Sequence, residues 1–224
     1  LVGATDEKTT QIITEIYKHV FPVELIKMPD CKTANAVKLT TNVFRDINIA
    51  FVNELAILFE KLGIDIKTVL EAADKKYNFQ IHYPGAGVGG PCLPINSYQM
   101  LNSAKEINDN LLKMVKVSRE INEHMPYHVI ELLKDALNEG NRQLESSEIL
   151  ILGISYKPNV KGIQLSPPEL FIPDLKKLGL KFRIFIPYSK NVQIYGLELA
   201  IAWDKVIQKV DAPIIVPPNN EFKN

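Results

Sequence analysis

The chain holds two cysteines, and they lie in very different settings. Cys92 sits in Gly89-Gly90-Pro91-Cys92-Leu93-Pro94, a loop rich in Gly and Pro where an exposed thiolate can be positioned. A structural cysteine normally lies on the apolar face of a regular element, so the loop leaves both a nucleophile and an inert thiol open. Cys31, in Pro29-Asp30-Cys31-Lys32, has no such setting and reads as incidental. Lys38, Asn42 and Arg45 fall at i, i+4 and i+7, one polar stripe along an otherwise apolar helical pattern. Such a stripe either faces solvent or aims an ammonium and an amide into a pocket. His82, just before the glycine loop, is placed to touch whatever that loop binds. His124 and His128 have the spacing of two metal ligands, but nothing completes a set and Pro126 lies between them, so no metal is expected.

Gly85, Gly87 and Gly90 formally complete G-x-G-x-x-G, the dinucleotide fingerprint. That fingerprint works when a strand feeds it and a helix N-terminus follows, aiming peptide N–H groups at a pyrophosphate. Pro84 precedes this segment, and Pro91 and Pro94 stand where the first helical turns belong. The better reading is a loop whose glycines, Gly85, Gly87, Gly89 and Gly90, let a substrate approach main chain.

The elements that must position these groups are legible. Leu1 to Ala4 reads as the end of a buried strand and Thr5 or Asp6 as a helix cap, a start that predicts a preceding α/β domain. Pro22 and Pro29 bracket an extended segment. From Ala34 to Leu62 there is no Gly or Pro, which gives a long helix, apolar nearly all round, closed by Gly63. Its apolar surface predicts a homodimer through residues 34–62, with Asn53 and Glu54 as contacts between helices. Further helices are expected from Asp65 to about Lys76, from about Ser97, and from Asn108 to Leu137 with a break or kink at Pro126. Ser147 to Ser155, Lys181 to Ile186 and Ala212 to Val216 read as strands around a helix from Pro168 to Leu178, a small parallel α/β domain. The fold class is therefore multidomain α+β: a remnant of a first α/β domain (1–22), a central helical domain (23–140) and a small Rossmann-like domain (141–224). Lys plus Arg (26) cancels Asp plus Glu (26), which excludes a broad field for nucleic acid or an anionic membrane. No apolar run reaches membrane-spanning length, and the cytoplasm is the expected compartment.

Taken together, the segments resemble the UDP-glucose/GDP-mannose dehydrogenase family. The likeness runs through Ala36, Lys38, Asn42, Arg45, Asp46, Asn48, Ala50, Asn53 and Glu54, then from Pro84 through Cys92 to Pro94, then Gly153, Tyr156, Lys157 and Pro158, and Ser166-Pro167. The wording of the cysteine loop, with His82 upstream, is most similar to the branch acting on UDP-N-acetylhexosamines, UDP-N-acetyl-D-mannosamine first. The resemblance implies an N-terminal Rossmann domain for NAD, absent from these residues, a helical dimerisation domain and a C-terminal domain for the UDP-sugar. It implies oxidation of the sugar C6 alcohol to a carboxylate with two NAD reduced. Cys92 would hold the intermediate aldehyde as a thiohemiacetal and release the acid by thioester hydrolysis. Lys38 and Asn42 would stabilise the oxyanion and position water; Arg45, His82, Tyr156 and Lys157 would touch the substrate.

The chain departs from the family's pattern in places. Asn96 replaces an Asp that many members carry four residues after the cysteine, and an amide there can hydrogen-bond but not act as a base. Lys161-Gly162-Ile163-Gln164 replaces Asp-Asp-x-Arg, so Gln164 loses a charged contact toward the cofactor, and Ile186 replaces an Asp. UDP-N-acetylglucosamine and UDP-glucose remain alternative substrates. A non-catalytic paralogue that only binds nucleotide sugar or scaffolds a dimer remains the alternative of another class.

Overall fold

The computed structural model describes residues 1–187 and 207–222. Val2 forms a parallel bridge with Lys27; its N–H donates to the Ile26 carbonyl (2.9 Å) and its carbonyl accepts from Met28 (2.7 Å). The strand end at Leu1 to Ala4 thus runs beside the extended segment between the two prolines. Between them lies α1 (Glu7–Val20), whose cap is Asp6: its carboxylate accepts from the Thr9 N–H at 2.8 Å. This satisfies a donor that the first helical turn leaves free.

α2 (Cys31–Lys61) begins ahead of the expected Ala34 because Asp30 caps it, accepting from the Thr33 N–H at 2.7 Å. Cys31 therefore falls in the first turn, where its thiol donates to the Gly3 carbonyl. Gly63, at φ +68°, follows the helix end. α3 (Ile66–Ala73) is capped by Asp65 and stops short of Lys76. α4 (Leu93–Lys105) starts immediately after Cys92, four residues before the expected Ser97. The reason is Pro94, which lies in the first turn, where no partner exists for the N–H it lacks. The prolines therefore do not keep a helix from following the glycine loop. α5 (Lys113–Glu139) begins later than Asn108, because the Asn108 side chain accepts from the Asn110 N–H in a turn. It runs through Pro126 unbroken.

α2 packs against α4 and α5. It is buried along one face (Val43, Asp46, Ala50, Val52, Asn53) rather than all round, and Phe44, Phe51 and Leu58 are exposed.

β1 (Glu148–Leu152), β2 (Lys181–Phe185) and β3 (Ala212–Ile215) form a parallel sheet in the order β2-β1-β3, with Ile151 of β1 opposite Ile184 and Ile214. The central strand is buried from Ile149 to Leu152, as a parallel strand covered on both faces must be. α6 (Pro168–Lys177) crosses from β1 to β2 and buries Phe171, Ile172 and Leu175 completely, each contributing about 1.5–3 kcal/mol. Ile130, Leu133 and Leu137 of α5 belong to the same core cluster. The long helix therefore serves two cores: its first half packs the helical part, and its last turns pack the sheet.

Candidate active site

Cys92 is exposed at the N-cap position of α4, and its side chain makes no capping bond. The Cys92 carbonyl accepts from the Asn96 N–H at 2.9 Å. The Asn96 amide is engaged at both ends: its oxygen accepts from Asn42 Nδ2, and its nitrogen donates to Gln99 Oε1 at 2.9 Å. Asn42, buried on α2, is thereby tied to the residue one turn below the sulfur. Lys38 lies one turn before Asn42 and is exposed, as is Arg45. The stripe thus divides between an amide that locks two helices and cations that face solvent. His82 is half-buried; its ring stands edge-on to Phe44, with centroids 6.4 Å apart, and its Nδ1 lies 3.0 Å from the Gln80 carbonyl.

The glycines of the loop have distinct tasks. Gly85 has open space where a side chain would go, and its N–H donates to Asn53 Oδ1 at 2.9 Å. Gly87, at φ +119°, lies against α5: a Cβ there would come within 2.9 Å of the Asn122 carbonyl oxygen. That carbonyl sits four residues before Pro126, which has no N–H to offer it. A Cβ on Gly89 would strike the Leu165 carbonyl at 2.1 Å, and one on Gly90 the Tyr156 ring at 2.7 Å. The Tyr156 ring is held between Gly90 and Gly162, and Gly90 N–H donates to the Gln164 carbonyl at 3.0 Å. Lys157 is exposed, its Nζ 6.0 Å from the centre of that ring. Three of these glycines therefore admit protein, namely α5 and the segment after β1. With those faces filled and no strand leading into it, the loop lacks the strand-to-helix setting in which a dinucleotide fingerprint works.

Behind the loop lies a buried polar network. Asp46 accepts from Ser97 Oγ (2.6 Å), Arg119 (2.9 Å) and Asn122 Nδ2 (2.8 Å), and Asn53 Nδ2 donates to Asn122 Oδ1 at 2.9 Å. All five residues are at most 3% exposed. Arg119 continues to Glu123 Oε1 at 3.0 Å, which also accepts from the Tyr98 hydroxyl. Burial alone lowers the guanidinium pKa, but Asp46 and Glu123 outweigh it and hold Arg119 above its ordinary value. Burial, then the Glu123 carboxylate, pushes the Tyr98 phenol up. Asn53 meets its helix-to-helix role, whereas Glu54 is exposed. Ser97, Arg119 and Asn122 escape a sequence reading, and Asp46 is legible only as part of the family-like pattern on α2, without its partners. The available signal was Asp46 and Asn53, at four and eleven residues from Asn42, one face of an apolar helix.

His128 pairs with Glu60 (3.0 Å) and Glu131 (3.5 Å), while the His124 ring lies by Tyr127, so the two imidazoles do not converge. Among the described residues no group of three or more His, Cys, Asp or Glu is arranged to hold a metal, and no helix is long and apolar enough to cross a membrane. A cavity of about 430 Å³ lies between α4, α5 and the start of α6, and one of about 520 Å³ between α2, α5 and β3. Neither is lined by Cys92 or Lys38, which open directly on the surface.

Residues 32–124 match the central domain of the UDP-glucose/GDP-mannose dehydrogenase family, and residues 150–224 its UDP binding domain. The chain belongs to this family. It is 32% identical, over its full length, to the UDP-N-acetyl-D-mannosamine dehydrogenase of Methanocaldococcus jannaschii, covering 49% of that protein. It is also 32% identical to the UDP-N-acetyl-D-glucosamine 6-dehydrogenase of Salmonella typhi, again over its full length and 52% of that protein. The solved UDP-D-ManNAc dehydrogenase of Pyrococcus horikoshii superposes with a TM-score of 0.87 at 31% identity, over 97% of this chain and 49% of that one. The chain thus spans about half the length of the curated relatives it matches.

Proposed function

We propose that this chain carries the covalent centre and the UDP-binding part of a cytoplasmic, NAD-dependent nucleotide-sugar 6-dehydrogenase, with UDP-N-acetyl-D-mannosamine as substrate. The observation that carries the reading is the Asn42–Asn96 bond, which locks the Lys38/Asn42 face of α2 to the turn that begins at Cys92. The relatives' names support the sugar, and the Salmonella relative keeps UDP-N-acetylglucosamine as the second choice.

In this reading the C6 alcohol is first oxidised to the aldehyde. The Cys92 sulfur then bonds to C6, and the thiol proton passes to the former carbonyl oxygen, giving a thiohemiacetal. The Lys38 ammonium neutralises charge on that oxygen. Asn42, with one N–H spent on Asn96, has a second to offer it. Oxidation yields a thioester; water adds at its carbonyl, the C–S bond breaks, and the carboxylate leaves with the thiol restored. NAD, when bound, would supply the hydride acceptor for both oxidations. Asn96, an amide saturated by its neighbours, orients Asn42 rather than moving a proton. Arg45 and His82 flank the sugar side, and Tyr156 and Lys157 offer a ring and a charge to the nucleotide. The exposed Phe44, Phe51 and Leu58, seven residues apart on α2, form the seam of a homodimer.

Iodoacetamide labelling near neutral pH tests the centre, with Cys31 as the internal reference. Cys92 should react faster and be protected by UDP-N-acetyl-D-mannosamine. Equal labelling of both cysteines without protection would instead support the non-catalytic paralogue.

A further inference from the structure

The buried network touches the cysteine loop on both sides. Upstream, the Gly85 N–H is held by Asn53, and Asn53 by Asn122. Downstream, Ser97 donates to Asp46, which also accepts from the Asn122 amide. The Asn122 side chain therefore joins the two anchors: its oxygen serves the upstream tether and its nitrogen the downstream one. Its backbone carbonyl, left without a helical partner by Pro126, is the surface against which Gly87 packs. One residue of α5 thus reaches the loop at three points spanning Cys92.

We propose that Asn122, acting through Asp46 and Ser97 on one side and Asn53 on the other, is the positioning residue that holds the Cys92 loop in register with Lys38 and Asn42. The assignment rests on Cys92 being the nucleophile only for its catalytic meaning; the tether itself is a statement about the loop. The physical basis is burial. With Asp46, Asn53, Ser97 and Asn122 at 1% exposure or less, no water competes for these bonds, and each group has lost its alternatives. A loop rich in glycine has many conformations to lose, so two flanking anchors restrict it more than either alone. Arg119 supports the arrangement by neutralising Asp46, leaving that carboxylate free to accept from both amide and hydroxyl.

Amide hydrogen exchange and per-site alkylation of the same chain test the tether. Ser97→Ala removes one hydroxyl and leaves Asp46 two other donors, so the fold is retained; Asn53→Ala releases the opposite flank. In each, exchange of the hydrogen-bonded Gly85 and Gly90 amides should rise roughly tenfold while β1 and α6 are unchanged. Alkylation of Cys92 should fall toward the rate of Cys31, and Ser97→Thr should restore both readouts. Unchanged loop exchange in folded Ser97→Ala would overturn the proposal, as would a uniform rise across all elements, which marks a purely structural role. A wild-type Cys92 no faster than Cys31 would strike the nucleophile reading instead, and the exchange result would still decide the tether.

Discussion

Asn96 has both ends of its amide engaged, by Asn42 and by Gln99, so its contribution near the sulfur is orientation. Replacing it with Asp keeps an acceptor for Asn42 but turns a second oxygen toward the Gln99 carbonyl, which must rotate its amide to donate. We expect Asn96→Asp to fold normally and to add one ionisation, in the carboxylate range, to the pH profile of Cys92 alkylation. A profile identical to wild type would place position 96 remote from the thiol. Arg119 is the other informative residue, because its guanidinium is the cation facing the buried Asp46. Arg119→Met should cost about 3 to 5 kcal/mol in urea unfolding, since it strands a buried carboxylate. A loss below about 1 kcal/mol would mean that Ser97 and Asn122 alone satisfy Asp46.

At the scale of elements, two glycines of one loop make opposite predictions. Gly87 has a left-handed φ and lies against the α5 backbone, so Gly87→Ala combines a strained conformation with a contact that cannot yield; about 1 to 3 kcal/mol should be lost. Gly85 faces open space, and Gly85→Ala should leave the melting temperature within error. Equal effects at the two positions would refute this account of the loop. The helix caps carry a pH dependence. Backbone and side-chain bonds from Thr9 and Thr33 hold the Asp6 and Asp30 carboxyls below their ordinary 3.8, and the side-chain bond of Thr68 leads in doing the same for Asp65. A depressed folded value contributes stability that is complete above the unfolded value and is lost as pH falls through the folded one. Exchanging all three for Asn, which caps without titrating, should therefore reduce the loss of helical circular dichroism below about pH 4. An unchanged acid transition would assign it to other carboxylates.

For the whole molecule, the exposed line of Phe44, Phe51 and Leu58 sets the assembly prediction. Phe51→Glu should convert a dimer to monomer in sedimentation velocity at micromolar concentration without loss of helix; a wild-type chain already monomeric there would remove the seam. Cofactor binding is predicted at the same scale. Because the faces of Gly87, Gly89 and Gly90 are filled by α5, Leu165 and Tyr156, the chain should show no saturable NAD binding tighter than about 1 mM, weaker than about 4 kcal/mol. Saturable binding by these residues alone would reinstate the loop as a cofactor site.

Strand, helix, strand order in the second half was readable because a buried parallel strand is a continuous apolar run and α6 opens on Pro-Pro-Glu. The long helix was readable from the absence of breakers, and the family from the resemblance of its motifs around Lys38–Asn42, Cys92 and Tyr156-Lys157-Pro158 to a known pattern. Helix starts were read late at α2 and α4, since a cap and a tolerated proline are decided by backbone geometry over two or three residues. The polar stripe that carries Lys38 and Asn42 was legible from their spacing on one helix. That Asn42 meets Asn96, that three glycines admit protein, and that Asp46, Ser97, Arg119 and Asn122 form one network depend on which faces of α2, α4 and α5 meet. Local sequence carries periodicity and punctuation, but not the partner across a buried interface. A hydrogen bond spanning 51 to 76 residues is fixed only when tertiary packing excludes water from both groups.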